Sequence, residues 1–227
     1  IIEHTYKMGD SQLTKKDWVK DLGIKMDREL NYKLQTSETR NKAKRLLGFL
    51  IRNSRNFRNI ETFLTLYYTL VRSTLEYGAL IWNPTTATLS DKMEAVQKRF
   101  LKFLYNKIFG YYPTDIPYEE LLEGFGLMSL GKRRTVTLLL YLRDILRGAI
   151  SQPETLAKIG IHVPRLGTRN KVTFSIPRAR TNMMKFAILT RACRVYNAIA
   201  NGSTDMEIDL FHLGRNEFKR RVMEALR

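Results

Sequence analysis

The sequence predicts a mainly α-helical fold: a helical bundle preceded by a short β-hairpin segment, with further C-terminal helices. Three observations predict it. Apolar residues recur with helical spacing over most of the chain, Gly, Pro and Asn residues separate these stretches, and extended segments are concentrated in the first 30 residues. Because 44% of the 227 residues are apolar, the chain can bury a substantial core.

Residues 1–32 carry extended and turn signals. Short strands are predicted at 6–8 and 18–19, separated by the turn residues 9–11, and a further short strand is predicted at 22–24. We expect these strands to form the edge of a sheet whose other strands lie upstream.

A basic helix is predicted from Thr36 onward. An apolar stripe runs along it with helical spacing, formed by Ala43, Leu46, Leu47, Leu50 and Ile51. Cations occupy the rest of its surface, including Lys42, Lys44, Arg45 and Arg52. Such a face often serves only to keep a helix soluble, but it then mixes charges of both signs, whereas Glu38 is the only acid here. We therefore expect this helix to contact phosphates.

Further helices follow in order along the chain. The next is predicted from Asn59, as the N-cap, to the stop at Asn83-Pro84, and another from Ser90-Asp91 to Gly110. The latter presents Lys98, Arg99 and Lys102 to solvent, although Asp91 and Glu94 on the same helix could pair with them. The remaining helices are predicted at 117–123, 130–147, 153–158, 183–200 and from 215 onward.

Between residues 160 and 181 the periodicity is lost, and prolines and a glycine divide the segment into extended pieces. The cations of this stretch are Arg165, Arg169, Lys171, Arg178 and Arg180. No carboxylate occurs between Glu154 and Asp205, so the segment is predicted to be a boundary or a loop that a polyanion orders. The predicted division is 1–32, 33–110, 111–160, 161–182 and 183–227.

The composition favours a polyanionic partner. With 39 Lys and Arg against 22 Asp and Glu, the formal net charge is +17, and nucleic acid is the leading candidate. The single cysteine, Cys193, excludes an intrachain disulfide and is expected to be a buried apolar residue in a reducing compartment. Three scattered histidines indicate no metal site or catalytic triad.

Several short motifs resemble, in order, the segment after the catalytic palm of non-LTR (LINE-type, Jockey-like) retrotransposon reverse transcriptases. The resemblance begins at the turn Asp21-Leu22-Gly23-Ile24. It continues through the motifs Lys42-Ala43, Leu47-Gly48, Leu66-Tyr67, Leu70-Val71-Arg72, Leu75-Glu76-Tyr77, Trp82-Asn83-Pro84, Val96-Gln97-Lys98-Arg99-Phe100, the stretch 127–130, Arg133-Arg134, Tyr196-Asn197 and Asp209-Leu210-Phe211. Each motif is weakly specific, but the ordered series spans nearly the whole chain.

The resemblance implies that Asp21, Leu22, Gly23 and Ile24 form a primer-grip-like element and that the following helices form a thumb around the template-primer duplex. Its implied partners are an RNA template, a DNA primer or target, and the upstream palm and fingers of the same polyprotein. The family's catalytic aspartates would precede Ile1, and no adjacent Asp pair occurs in the chain. No cofactor is therefore expected in this chain, whereas the parent polymerase would use Mg²⁺ in the nucleus of the cell.

Other interpretations stay open at this point. The chain could be a stand-alone or domesticated helical RNA- or DNA-binding module without polymerase activity. Adsorption to an anionic membrane surface is disfavoured, because the apolar stripes are broad and lack interfacial Trp anchors. Asp205, Glu207 and Asp209 superficially resemble a metal site, although an acidic patch that pairs with cations explains them better.

Aromatic residues on the predicted helices could stack on bases, but their helical spacing favours the core. These residues are Tyr67, Tyr68, Tyr77, Trp82, Phe100 and Phe103. Tyr111 and Tyr112, just after Gly110, are expected to be exposed.

Overall fold

The computed structural model describes residues 6–84, 86–163, 172–202 and 208–226. It is mainly helical, which confirms the predicted fold class. The helices are α1 (Lys33–Asn53), α2 (Ile60–Leu66), α3 (Ser73–Glu76), α4 (Ala79–Trp82), α5 (Ala87–Phe109), α6 (Tyr118–Gly124), α7 (Leu130–Leu146), α8 (Pro153–Leu156), α9 (Asn182–Phe186), α10 (Ile188–Gly202) and α11 (Arg215–Ala225). The strands are β1 (Lys7–Met8), β2 (Ser11–Gln12), β3 (Trp18–Asp21), β4 (Ile24–Asp27), β5 (Gly160–Ile161) and β6 (Phe174–Ser175).

In the described part of the chain the strands form three antiparallel hairpins, β1–β2, β3–β4 and β5–β6. In the second hairpin Asp21 pairs with Ile24, so Leu22 and Gly23 are the two turn residues. The prediction of a strand at 22–24 is therefore wrong in position, because the second strand begins at Ile24. Both turn residues have positive φ, 44° at Leu22 and 82° at Gly23, which is the geometry that matches the twist of a two-residue hairpin.

The β3–β4 hairpin leads into α1 through a bend that Asp27 stabilises. Its carboxylate oxygens accept hydrogen bonds from the backbone N–H groups of Glu29, Asn31 and Tyr32, at 3.1, 3.0 and 2.8 Å. The α1 helix then begins at Lys33, slightly earlier than predicted. The predicted apolar stripe of this helix is confirmed, since Ala43, Leu47 and Leu50 are buried and Leu46 and Ile51 are half-buried.

The segment from 60 to 82 is not one continuous helix, as the sequence had predicted. Residues Tyr67–Arg72 form a π-helical segment between α2 and α3. Across α2, the π-helical segment, α3 and the start of α4, buried residues recur at every fourth position from Phe63 to Ala79, namely Phe63, Tyr67, Val71, Leu75 and Ala79. In an α-helix that spacing rotates by about 40° at each step, and the wider π-helical turn offsets part of this drift and keeps the residues on one face.

The same segment bends again at Tyr77–Gly78. Gly78 has a φ of 62°, and a Cβ at this position would lie 2.6 Å from Ile24 Cδ1. Trp82 is fully buried here and its Nε1 donates a 2.7 Å hydrogen bond to the Tyr77 carbonyl. The bend therefore seats the end of the segment against strand β4. Asn59 does cap α2 as predicted, accepting from the backbone N–H of Glu61 at 2.8 Å.

Helix α5 begins at Ala87 with Thr86 as its N-cap, rather than at Ser90-Asp91. Its predicted end is confirmed, because Gly110 terminates it with a φ of 79°. A buried polar network anchors its middle. Gln97 accepts from the Tyr67 hydroxyl at 2.7 Å and donates to the Tyr118 hydroxyl and the Met128 carbonyl, both at 3.0 Å.

Within the described residues, the buried apolar side chains form two clusters. The first contains Ile24 and the buried faces of α1 to α6, and the second contains Phe174 and the buried faces of α10 and α11. Helix α7 contributes to both, with Leu130 in the first and Leu139 and Leu142 in the second. The predicted division at residues 110 and 160 stays a prediction, and the change from one cluster to the other falls within α7.

The C-terminal elements differ in detail from the predicted pattern. The helix predicted at 183–200 is two helices, since Ala187 adopts extended backbone angles (φ −53°, ψ 143°) between α9 and α10. Helix α11 begins at Arg215 as predicted. Within the predicted linker 161–182, Phe174 is fully buried. The Asn197 side chain accepts a 3.1 Å hydrogen bond from the Phe174 backbone N–H and donates a 2.9 Å hydrogen bond to the Phe174 carbonyl.

Candidate nucleic-acid interface

A groove of about 700 Å³ opens between the β3–β4 hairpin, α1 and α3. It brings the predicted primer-grip-like turn next to the predicted basic helix, although these two features are separated in the sequence. Its lining residues are Lys20, Gly23, Gln35, Glu38, Thr39, Asn41, Lys42, Arg45, Ser73, Thr74 and Tyr77. The groove is predominantly polar, and its charged residues are three cations and one acid.

Helical geometry places Lys42 and Arg45 on the same side of α1. They are three positions apart, which separates their directions by only about 60° around the axis. Both are exposed, as is Lys20 on the facing strand. Among the residues that the structure describes, none of these three cations forms an ion pair. The acid of the groove, Glu38, is already paired with Lys25, at 2.6 Å.

The turn stands at the edge of this groove. Leu22 is 81% exposed although its φ is positive, a combination that is unusual for a bulky residue. The Tyr77 hydroxyl donates a 2.8 Å hydrogen bond to the Leu22 carbonyl and holds the turn against α3. Gly23 is exposed beside it, Asp21 ends strand β3, and Ile24 belongs to the core. Gly23 therefore presents exposed backbone without a side chain at the edge of the groove.

The basic face of α1 continues beyond the groove. Arg52 lies seven positions after Arg45, so it points in nearly the same direction about 10 Å further along the axis. Phe49 lies between them on this face and is 53% exposed. Neither Phe49 nor Lys20 was predicted as a site residue from the sequence. The sequence could have indicated Phe49, because it is an apolar residue within the charged face of a helix. Nothing in the sequence indicated Lys20.

The other cations predicted to bind lie elsewhere. Lys44 is exposed but lies about 160° around α1 from Lys42, on the opposite flank. Lys98, Arg99 and Lys102 on α5 do not line the groove. The Lys98 ammonium instead lies 5.9 Å from the centre of the Tyr118 ring.

The basic segment near residue 170 is described only in part. Arg178 and Arg180 are exposed in the loop between β6 and α9 and do not line the groove. Arg165, Arg169 and Lys171 lie outside the described residues. The predicted contribution of these five cations to binding stays a prediction.

The aromatic residues largely form core, as their spacing predicted. Tyr67, Trp82 and Phe100 are fully buried, and the Tyr67 and Phe100 rings stack with their centroids 4.1 Å apart. Tyr77 is the exception: it is 59% exposed, and the core prediction for it is wrong because the bend at Gly78 turns it toward the hairpin. Tyr68 and Phe103 are half-buried.

Tyr111 and Tyr112 are 57% and 50% exposed, as predicted. The hydroxyl groups of Tyr111 and Tyr105 lie 2.6 Å apart, so a hydrogen bond to Tyr105 orients the exposed Tyr111 side chain.

Within the described ranges, no group of three or more His, Cys, Asp or Glu side chains is arranged to hold a metal ion. Cys193 is buried, as predicted, and burial raises the pKa of its thiol to about 11. Asp209 accepts from the backbone N–H of Phe211 at 2.6 Å, while Asp205 and Glu207 lie outside the described residues.

No helix in the described part of the chain combines the length and the apolar character needed to span a bilayer.

The chain is similar to an uncharacterized protein of Caenorhabditis elegans, with 26% identity over 139 residues. The matched region covers 61% of this chain and 68% of that relative. No protein-family model matches the chain, and no solved structure matches it significantly. The function is therefore inferred from the groove and from the sequence motifs.

Proposed function

We propose that this protein binds nucleic acid through its phosphates, in the groove between the β3–β4 hairpin and α1. One observation carries the proposal: Lys20, Lys42 and Arg45 surround one groove without ion-pair partners among the described residues, beside the exposed Gly23 turn. Cations without carboxylate partners produce a positive electrostatic potential, which a bound polyanion would neutralise. The net charge of +17 has the same sign as this local excess.

The dimensions of the basic face suit a phosphate backbone. From Lys42 to Arg52 the helix rises about 15 Å, which covers several successive phosphates of one strand. Such contacts position a duplex without reading its bases, so binding is expected to tolerate different sequences. At the end of the face, the Gly23 turn offers backbone without a side chain in the way, which suits close approach by a strand end.

The wider role that we propose follows from the sequence motifs. The chain is then the thumb and C-terminal portion of a non-LTR retrotransposon reverse transcriptase. It grips an RNA template, a DNA primer or target DNA, next to the palm and fingers of the same polyprotein. The catalytic aspartates and the Mg²⁺ that they bind would belong to those upstream parts, and the site of action would be the nucleus.

The salt dependence of duplex binding tests the proposal. The affinity for a fluorescent 20-base-pair duplex is measured by anisotropy between about 50 and 300 mM salt, with two unrelated sequences. We expect log K to fall by about 0.9 per phosphate contacted for each decade of salt, so three contacts give a slope near −2.7. The two sequences should bind alike. An affinity that does not change with salt would refute the proposal.

A further inference from the structure

A second cavity, of about 230 Å³, lies between the bend after β4, helix α4 and helices α9 and α10. Ile81, Phe186 and Ile188 supply much of its apolar wall. Its polar groups are the hydroxyl of Tyr32, the amide of Asn83 and the guanidinium of Arg191. No residue of this cavity lines the nucleic-acid groove.

The charge of Arg191 is poorly compensated. Its Nη2 donates a 2.7 Å hydrogen bond to the Leu80 carbonyl, but its Nε is buried without any partner. In the portion of the chain that the structure describes, no carboxylate pairs with it. Burial, together with the nearby positive charge of Arg134, lowers the pKa of Arg191 to about 10. Arg191 is half-buried, and a cation partly withdrawn from water without a counter-ion is destabilising, so an anionic ligand would relieve that cost.

The backbone beside Arg191 is also strained. Leu30 and Tyr32 both line the cavity, and their φ angles are 51° and 55° although neither is a glycine. The hydrogen bond from the Tyr32 N–H to Asp27 helps to hold this conformation. Positive φ at non-glycine residues is energetically unfavourable and is often found at ligand sites. Two independent features, a strained wall and an unpaired cation, therefore meet at one cavity.

We propose that this cavity binds a small carboxylate with a compact apolar body. The planar guanidinium of Arg191 matches a carboxylate, and the apolar wall would enclose the body that carries it. A single cation favours a monoanion over a phosphate dianion, and the cavity is smaller than the roughly 300 Å³ at which drug-sized ligand pockets begin. The carboxylate could belong to a free small molecule or to the last residue of a peptide.

The test uses benzoate as the probe and neutral benzamide as its near-isosteric control, by titration calorimetry without nucleic acid. We expect benzoate to bind saturably at one site and benzamide to bind at least tenfold more weakly. Arg191→Met should weaken benzoate binding at least tenfold. Arg194→Met removes an exposed arginine from the same helix and should change the affinity less than twofold.

A second variant keeps the test decisive if Arg191→Met fails to fold. Ala187 lines the cavity and is exposed, so Ala187→Leu adds bulk to the wall while keeping the guanidinium in place and should also weaken benzoate binding at least tenfold. A peptide ending in a free Phe carboxylate distinguishes the sources: if it binds more tightly than benzoate, the ligand is a peptide terminus, and if it binds more weakly, the ligand is a free acid.

The inference would be overturned by an absence of saturable benzoate binding, by equal binding of benzamide, or by an affinity that Ala187→Leu leaves unchanged. Saturation by inorganic phosphate in preference to benzoate would overturn it as well. The outcome is separate from that of the proposed function, because Arg191→Met should retain the duplex affinity of the wild type.

Discussion

At the scale of single residues, left-handed backbone positions shape the hairpin and its contact with α3. Gly23 and Gly9 occupy the turns of two neighbouring hairpins, with φ angles of 82° and 60°. A Cβ at Gly23 would meet only the Tyr77 side chain, with Cε1 at 3.6 Å and the hydroxyl oxygen at 4.0 Å, and one at Gly9 would meet nothing within 4 Å. Substitution at either glycine therefore costs mainly backbone strain, which makes the two sites a matched pair.

We predict that Gly23→Val weakens duplex binding about tenfold, whereas Gly9→Val changes it less than twofold. The reason is that Gly23 lines the groove and Gly9 does not. Anisotropy titrations at one salt concentration measure the difference, with circular dichroism to verify that both variants fold. Equal losses in the two variants would show that strain, and not access to the groove, is responsible.

A second pair of glycines isolates a packing contact. We predict that Gly78→Ala destabilises the protein by about 1–3 kcal/mol more than Gly110→Ala. Both positions have positive φ, but the new Cβ would lie 2.6 Å from Ile24 Cδ1 at Gly78 and in open space at Gly110. Urea unfolding of both variants gives the comparison. A difference near zero would mean that the Ile24 side chain shifts without cost.

At the scale of elements, α1 has two flanks with different roles. Its buried face packs against α5 and the π-helical segment, and one flank borders the groove. Lys42 and Arg45 occupy that flank, while Lys44 lies on the other. The sequence indicated an excess of cations on this helix, but it could not say which of them face the groove.

We predict that the double substitution Lys42→Gln/Arg45→Gln weakens duplex binding at least tenfold and makes the salt slope shallower by about 2, one unit for each cation removed from the phosphate backbone. Lys44→Gln should change the affinity less than twofold and leave the slope as it is. Binding isotherms at several salt concentrations provide both quantities. If Lys44→Gln has the larger effect, the nucleic acid lies on the other flank.

At the scale of the whole molecule, helix α7 joins the two buried clusters. The ion pair between Arg133 on α7 and Glu76 on α3 adds a polar contact between this helix and the first cluster. Arg143 and Arg215 share the carboxylate of Asp144 on the other side, which ties α7 to α11. One continuous helix with partners in both clusters should couple their unfolding.

We therefore predict a single cooperative unfolding transition. The fluorescence of Trp82 reports on the first cluster, in a Trp18→Phe background, and thiol labelling of Cys193 reports on the second. At pH 8 the Cys193 thiol of the folded protein should be unreactive, because it is buried with a raised pKa. The two probes should give the same midpoint in urea. Midpoints that differ would show that the clusters unfold independently.

How much the sequence could predict depends on the range of the interactions. Local signals were sufficient for Asn59 as a cap, Gly110 as a helix end and the apolar stripe of α1, because each depends on neighbours within a few residues. The break at Gly78 escaped prediction, since the side chain that packs closely against it, Ile24, belongs to a strand distant in the sequence. Tyr77 was misassigned to the core for the same reason.

By itself, the sequence determined the helical class, the positive charge and the basic face of α1, because composition and periodicity act locally along the chain. Only the tertiary structure decided that the Gly23 turn meets Lys42 and Arg45, that Lys44 points away, and that Arg191 is half-buried with no counter-ion among the described residues. These are contacts between segments far apart in the sequence. Their formation depends on how the helices pack, which no pattern within a single helix encodes.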